Sequence, residues 1–106
     1  MGRNQRDSKR IPFRSRVKYG TEEHLSFGYT NDLSLNGVGL YGKRVMPPKT
    51  KVKVHLEINS IPVTLNGVVV HAKSSIPGQP SRMGIRFLKS PAMIKALYNS
   101  RANSRK

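Results

Sequence analysis

The amino-acid sequence predicts a mainly β fold, an antiparallel barrel or sandwich that is preceded by a flexible basic segment and followed by one C-terminal α-helix. Three observations predict it. About six short stretches alternate hydrophobic and polar residues, turn formers separate these stretches, and the end of the chain changes to a helical period. With 106 residues the chain suits one domain. We divide it into an arm (residues 1–10), a β body (11–90) and a helix with a basic tail (91–106).

Alternation with a period of two predicts the strands in chain order. The first strand is expected over residues 13–19, where basic residues occupy every second position. The clearest is Lys51–Ile58, with hydrophobic residues on one face and polar residues on the other. The remaining candidates are residues 25–30, 38–41, 61–71 and 83–88. We expect a bend in the fifth stretch at Asn66-Gly67, and we expect the core to include Phe13, Phe27 and Phe87.

Turn formers lie between these stretches: Asn36-Gly37, Pro47-Pro48, Asn59-Ser60 and residues 75–81. The last segment has a helical period, with Ser90 suited to the cap and Pro91 to the first turn. A hydrophobic stripe that we expect to lie on the barrel follows: Met93, Ile94, Leu97 and Tyr98. After Asn99 the sequence becomes polar, and we expect the helix to fray.

The formal net charge of +15 is concentrated at the two ends of the chain. Residues 1–18 hold seven Lys/Arg and one acid, residues 89–106 hold five Lys/Arg and no acid, and the residues between carry only +4. This distribution attracts polyanions as a class, whether a nucleotide, a nucleic acid or an acidic membrane.

Composition also argues against several classes of protein. The sequence has no cysteine, which excludes disulfides and thiolate sites. It has neither a signal-peptide core nor an apolar run near the roughly 20 residues that span a bilayer, so we expect a cytoplasmic protein without a transmembrane segment. His24, His55 and His71 are scattered, and there are no paired carboxylates or phosphate-cradling glycine loop. We therefore predict no enzyme activity, no metal site and no cofactor.

Two segments carry candidate binding chemistry. The first places Arg6 and Arg10 four residues apart before the first strand, with Lys9 between them. Guanidinium groups are planar and permanently charged, and their donors match a phosphate or the O6/N7 edge of guanine. The alternative is a solvated basic tail.

The second segment is residues 32–37, between two strands. Asp32 and Ser34 project to the same side if the backbone is extended, and Asn36-Gly37 fits a tight turn. A carboxylate accepts hydrogen bonds from the N1–H and N2–H₂ groups of guanine, and a hydroxyl binds a phosphate or a base edge. The alternative is that both side chains only satisfy backbone groups of the turn.

In this order the two segments resemble the PilZ domain family, whose signature is R-x-x-x-R before the first strand and [D/N]-x-S-x-x-G shortly after it. The matching residues are Arg6, Arg10, Asp32, Ser34 and Gly37. Residues 83–87 look like the family's final strand, and the resemblance covers roughly residues 5–98. It implies a six-stranded antiparallel β-barrel with a C-terminal helix, and it implies c-di-GMP, a bacterial second messenger, as the ligand.

Arg10 and Arg14 also fit R-x-x-x-R. In the family the second arginine immediately precedes the strand, whereas Arg14 falls within the alternating pattern. We therefore assign the motif to Arg6 and Arg10 and hold Arg14 in reserve. Gln5 stands where the family often has a further arginine.

The resemblance implies a receptor in which Arg6 and Arg10 bind phosphates or guanine while Asp32 and Ser34 hold the ligand from the barrel. Lys9 and Asn36 are secondary candidates, and His71 is a candidate for the remaining side of the site. The arm would order over the ligand and relay the signal to a protein of a motility, pilus or exopolysaccharide system.

Two alternatives remain open. A small basic nucleic-acid-binding protein would explain the charge, but the sequence gives no evident exposed aromatic platform. A PilZ-like adaptor that binds only proteins would keep the fold without the ligand.

Overall fold

The computed structural model describes residues 9–58, 60–74, 77–89 and 92–104. This part of the chain forms seven strands and one helix: β1 (Ile11–Pro12), β2 (Arg16–Gly20), β3 (Leu25–Leu33), β4 (Gly37–Gly42), β5 (Lys51–Ile58), β6 (Ile61–Lys73), β7 (Ser81–Phe87) and α1 (Ala92–Ser104). All strand pairs are antiparallel.

The strands close into a barrel. β2 pairs with β3 and β5, the sheet continues from β5 through β6 and β7 to β4, and β4 pairs with β3 to close it. The two-residue β1 lies along the same edge of β3 as β2, because Pro12 is opposite Asp32 while Arg16 is opposite Tyr29. β1 and β2 thus count as one interrupted strand of the barrel, and the barrel has six strands in this sense. This confirms the predicted six-stranded antiparallel barrel with a C-terminal helix.

The barrel interior is the hydrophobic core. The alternation in β5 is confirmed, since its four hydrophobic residues are buried and the residues between them are more exposed. The most deeply buried large side chains are Tyr19, Leu33, Leu65, Ile85, Ile94, Val38, Val54 and Val69. Because side chains fill the interior, we expect a ligand to bind outside it.

The core prediction was correct for Phe13 and Phe87, which are buried, and wrong for Phe27. Phe27 is 71% exposed on the outer face of β3. The inward positions of β3 include Thr30 instead. Its hydroxyl donates to the Phe13 carbonyl at 2.7 Å and accepts from the Ser15 amide at 2.8 Å. These bonds satisfy backbone groups at the break between β1 and β2, which explains why a polar residue points inward here. The same break contradicts the unbroken first strand predicted over residues 13–19.

The predicted bend at Asn66-Gly67 was also wrong, since β6 runs through both residues, which pair with β5. Gly67 serves close packing: a Cβ there would meet the Ile85 side chain and the Arg86 carbonyl. The irregularity of β6 lies further on, where the register with β7 shifts between Val69 and His71.

Helix α1 packs on the barrel through Ile94 and Tyr98, which are buried, and Leu97, which is half-buried. Met93 is exposed, so the predicted stripe is narrower than expected. The predicted fraying after Asn99 was wrong, because α1 continues to Ser104. A tertiary contact supports the last turns: the Arg101 guanidinium lies 5.2 Å from the centre of the Phe13 ring. Ser90 and Pro91 lie outside the described residues.

Within the described ranges, no helix is both long and apolar enough to cross a membrane.

Candidate functional site

The two predicted motifs meet at Arg10 and Asp32. Arg10 directly precedes β1, and the pairing of Pro12 with Asp32 brings the arm alongside β3. The Arg10 guanidinium Nη1 donates to Asp32 Oδ1 at 2.6 Å, with the two side chains 45% and 24% exposed. The Asn31 side-chain amide donates to the other carboxylate oxygen, Oδ2, at 3.3 Å. A cation and an anion are therefore positioned side by side at the surface.

Ser34 lies in the turn between β3 and β4 and is buried. Its hydroxyl oxygen accepts from the amides of Asn36 at 3.3 Å and Gly37 at 3.1 Å, and its own amide donates to the Gly37 carbonyl at 2.9 Å. The hydroxyl thus shapes the turn that fixes the end of β3 beside Asp32. Asn36 is exposed at the tip of this turn, and its carbonyl accepts from the Phe87 amide at 2.7 Å.

Gly37 is required for close packing rather than for a left-handed backbone conformation. It begins β4 opposite Arg86, and a Cβ at this position would meet the carbonyl oxygen of Ile85. The glycine therefore allows β7 to approach the turn.

A row of four residues crosses the outer face of four strands in register. Asp32 of β3 pairs with Gly39 of β4, Gly39 pairs with Gly84 of β7, and Gly84 pairs with His71 of β6. The Asp32 carboxylate lies over Gly39, where a Cβ would come within 2.8 Å of Oδ1. The His71 ring lies over Gly84 in the same way. An acid and an imidazole thus lie over a floor made of backbone, which we call the glycine floor (Gly39 and Gly84).

Cations border the glycine floor along β7. Arg82 and Arg86 are two residues before and after Gly84, so both project outward with it, and both are exposed. Arg82 also stacks on Tyr41, with its guanidinium 5.5 Å from the ring centre. The site therefore combines one carboxylate, one imidazole and three guanidinium groups, with the carboxylate and the imidazole lying over two strand positions that have no side chains of their own.

Sequence reasoning missed the glycine floor and its two flanking arginines. A glycine inside a strand is a recognised signal of close approach by a ligand or another chain segment, and both glycines fall within predicted strands. Which residues lie opposite them depends on the register, which the sequence did not provide.

The remaining predicted residues lie outside the row formed by Asp32, Gly39, Gly84 and His71. Lys9 is exposed, and its carbonyl accepts a 2.6 Å hydrogen bond from the Tyr98 hydroxyl of α1. Arg14 lies over Tyr29, 5.3 Å from the ring centre, and not over Asp32. Arg6 lies outside the described residues. No cluster of potential metal ligands occurs in the described part of the chain.

The PilZ domain family model matches residues 4–97, nearly the whole chain. The chain belongs to the PilZ domain family. No curated protein matches it significantly in sequence.

Solved PilZ structures share the fold at low sequence identity. The PilZ domain of YcgR from Escherichia coli, solved with c-di-GMP, superposes with a TM-score of 0.66 at 14% identity and covers 97% of this chain and 99% of that one. The PilZ domain of CeSA from a cellulose-synthesising bacterium gives 0.62 at 18%, with coverages of 83% and 88%.

The Bacillus subtilis inhibitor of motility, MotI/DgrA, gives a TM-score of 0.75 at 11% identity and covers 97% of this chain. The present chain spans only 54% of MotI/DgrA. These neighbours therefore establish the barrel architecture.

Proposed function

We propose that this PilZ domain is a receptor for c-di-GMP that binds the dinucleotide on the outer face of the barrel and performs no catalysis. The observation that carries the proposal is the contact between Arg10 and Asp32, because it joins the two family motifs in one place. The YcgR domain solved with c-di-GMP has the same fold.

The residues of the site suit a guanine nucleotide. The Asp32 carboxylate can accept from the two donor groups on the guanine edge, N1–H and N2–H₂. Arg10, together with Arg6 of the arm, can donate to phosphate or to guanine O6/N7. The glycine floor lets the Asp32 carboxylate and the His71 ring lie close to the backbone, where both can contact a base, and Arg82 and Arg86 favour an anionic ligand.

The proposed relay begins at the arm. The Tyr98 hydroxyl holds the Lys9 carbonyl, one residue before Arg10. When Arg10 turns from Asp32 to a ligand, the arm backbone moves and carries this hydrogen bond with it. The change reaches α1 and alters the surface seen by a downstream protein. We propose that this protein belongs to a motility, pilus or exopolysaccharide system and that the receptor acts in the cytoplasm.

Calorimetric titration with c-di-GMP, with GTP as the control ligand, tests the proposal. Charge-assisted contacts contribute about 1.5–3 kcal/mol each, so Arg6→Ala, Arg10→Ala and Asp32→Ala should each weaken binding roughly tenfold or more. The matched control is Arg44→Ala, which removes one exposed positive charge from the loop after β4. Wild-type affinity in both arm variants, or equal binding of GTP, would refute the assignment.

A further inference from the structure

A second surface lies on the outer face of the barrel, centred on β3. We call it the aromatic stripe (Phe27, Tyr29 and Tyr41). Phe27 and Tyr29 are 71% and 47% exposed, and they are two residues apart, so they project to the same face with Cα atoms about 7 Å apart. Tyr41 lies on β4 directly opposite Tyr29. Exposed aromatic residues clustered in this way indicate a contact surface.

Each ring of the stripe has a cation over it. Lys18 lies 5.5 Å from the centre of the Phe27 ring, and Arg14 lies 5.3 Å from that of Tyr29. Arg82 lies 5.5 Å from the centre of the Tyr41 ring. Positive charge and aromatic surface therefore alternate across the whole stripe.

The stripe forms one side of a cleft of about 900 Å³. The segment of residues 77–81 forms the other side, and Lys43 adds a further cation at the rim. No carboxylate is among the described residues that line the cleft. Its chemistry thus favours an occupant that carries negative charge and presents flat apolar faces.

We propose that the aromatic stripe binds single-stranded nucleic acid. Unpaired bases would displace the cations from the ring faces and stack there, while the displaced cations contact the phosphates, which is the combination found in binders of single strands. A protein partner could use the same rings and arginines, but the cleft is lined by Arg14 and Lys43 and, among its described residues, by no carboxylate, which favours a polyanion. A duplex fits less well too, because its bases are stacked on one another and leave no free faces for Phe27 and Tyr29.

This inference does not rest on the proposed c-di-GMP site. Phe27 and Tyr29 belong to the part of β3 that pairs with β2, whereas Asp32 lies beyond the register shift and pairs with β1. Substitutions in the stripe therefore leave the carboxylate, the glycine floor and Arg10 in place.

The test measures fluorescence anisotropy of labelled single strands of about 12 nucleotides, one of oligothymidylate and one of oligouridylate, a length within the range of small binding modules. We expect the Phe27→Ala, Tyr29→Ala double variant to lose at least about tenfold in affinity for a strand that the wild type binds. The matched control, Phe27→Tyr with Tyr29→Phe, keeps both rings and should bind like the wild type.

Three results would overturn the inference: no binding of either oligonucleotide, wild-type affinity in the double alanine variant, or equal competition by an unlabelled duplex of the same length. The first would leave the stripe to a protein partner. Titration of the same variants with c-di-GMP separates the two surfaces. Retained c-di-GMP affinity with lost oligonucleotide affinity supports the stripe as an independent site, and loss of both would assign the rings to the c-di-GMP site instead.

Discussion

Gly37 and Gly84 both lie in the outer wall of the barrel, but different atoms would meet a Cβ at the two positions. At Gly37 the obstacle is the backbone carbonyl of Ile85, while at Gly84 it is the exposed ring of His71. A backbone oxygen of a paired strand cannot move without breaking the sheet, whereas a surface side chain can rotate away. The two glycines therefore have different roles, one in packing and one at the site.

This difference predicts that substitution by alanine mainly lowers stability at Gly37 and mainly lowers ligand affinity at Gly84. Gly37→Ala should lower the free energy of unfolding by about 2 kcal/mol or more, because the strand pairing must shift. Gly84→Ala should cost under about 1 kcal/mol but should weaken c-di-GMP binding, because it pushes His71 off the glycine floor. Urea unfolding and calorimetric titration of both variants check this, and equal stability of the two would contradict it.

Tyr19 is the residue whose ionisation should affect stability. Its ring is buried and its hydroxyl donates to the Arg44 carbonyl at 2.6 Å. Burial raises the pKa of this hydroxyl above the usual 10.0, although the charge of Arg44 opposes part of the shift. Above pH 10 the unfolded chain therefore loses this proton more readily than the folded chain does.

The stability that Tyr19 contributes should thus be fully present below about pH 10 and should be lost as the pH rises through the higher pKa of the folded state. Tyr19→Phe cannot ionise, so the difference in unfolding free energy between the wild type and this variant should shrink at alkaline pH. Urea unfolding of both proteins at about pH 7 and about pH 10.5 measures it. A difference that stays constant with pH would contradict the role given to burial.

At the scale of elements, helix α1 contacts the chain on both sides of β1. Tyr98 holds the Lys9 carbonyl, and Arg101 lies over Phe13 in the segment between β1 and β2. Lys9 directly precedes Arg10, and Phe13 lies three residues after it. The helix therefore fixes the position from which Arg10 reaches Asp32.

Removal of the Tyr98 hydroxyl should loosen the arm. Tyr98→Phe should lower the free energy of unfolding by about 1 kcal/mol and should speed amide hydrogen exchange around residues 9–13, since the Lys9 carbonyl loses its donor. Tyr29→Phe, which removes a hydroxyl from the outer face, is the control. Unchanged exchange in the arm of Tyr98→Phe would show that this bond does not hold the arm.

Elements with a simple inside and outside were predictable from sequence, and elements shaped by tertiary contacts were not. β5 alternates cleanly and was predicted residue for residue. β3 was predicted as a strand, but its inward face was not, because Thr30 points inward to satisfy backbone groups of another strand. The end of α1 was misjudged because its polar last turns are held by a contact with Phe13.

The candidate site was predictable only in part for a related reason. Asp32 and Arg10 belong to motifs and were found by spacing. The glycine floor depends on two shifts of register, between Thr30 and Asp32 in β3 and between Val69 and His71 in β6. Each shift changes which residues face outward beyond it, and the sequence does not mark where a strand bulges.

At the scale of the whole molecule, the closed barrel explains why both candidate surfaces lie outside the barrel interior. Its interior is filled, so the two candidate surfaces are neighbouring parts of one outer wall, and Arg82 borders both the glycine floor and the aromatic stripe. The net charge of +15 attracts anions to this outer wall over a long range. Attraction by net charge grows with the charge of the ligand, so it acts more strongly on an oligonucleotide than on a dinucleotide, and added salt weakens it for both.

We predict that added salt distinguishes the two surfaces. A single strand carries a counterion atmosphere, and each phosphate neutralised by the protein contributes about 0.7 to the slope of log affinity against log salt. If Arg14, Lys18, Lys43 and Arg82 each neutralise one phosphate, the slope for an oligonucleotide should be about −3 between about 50 and 200 mM salt. A dinucleotide has too few phosphates to condense counterions in this way, and in the proposed site Asp32 would accept hydrogen bonds from neutral donors on the base edge, so its slope should be much shallower. Replacement of Lys18 and Lys43 by alanine should reduce the oligonucleotide slope by about 1.4 and leave the c-di-GMP slope unchanged. Anisotropy and calorimetry across a salt series measure both slopes, and a c-di-GMP slope that also falls when Lys18 and Lys43 are replaced would mean that one undivided basic surface binds both ligands.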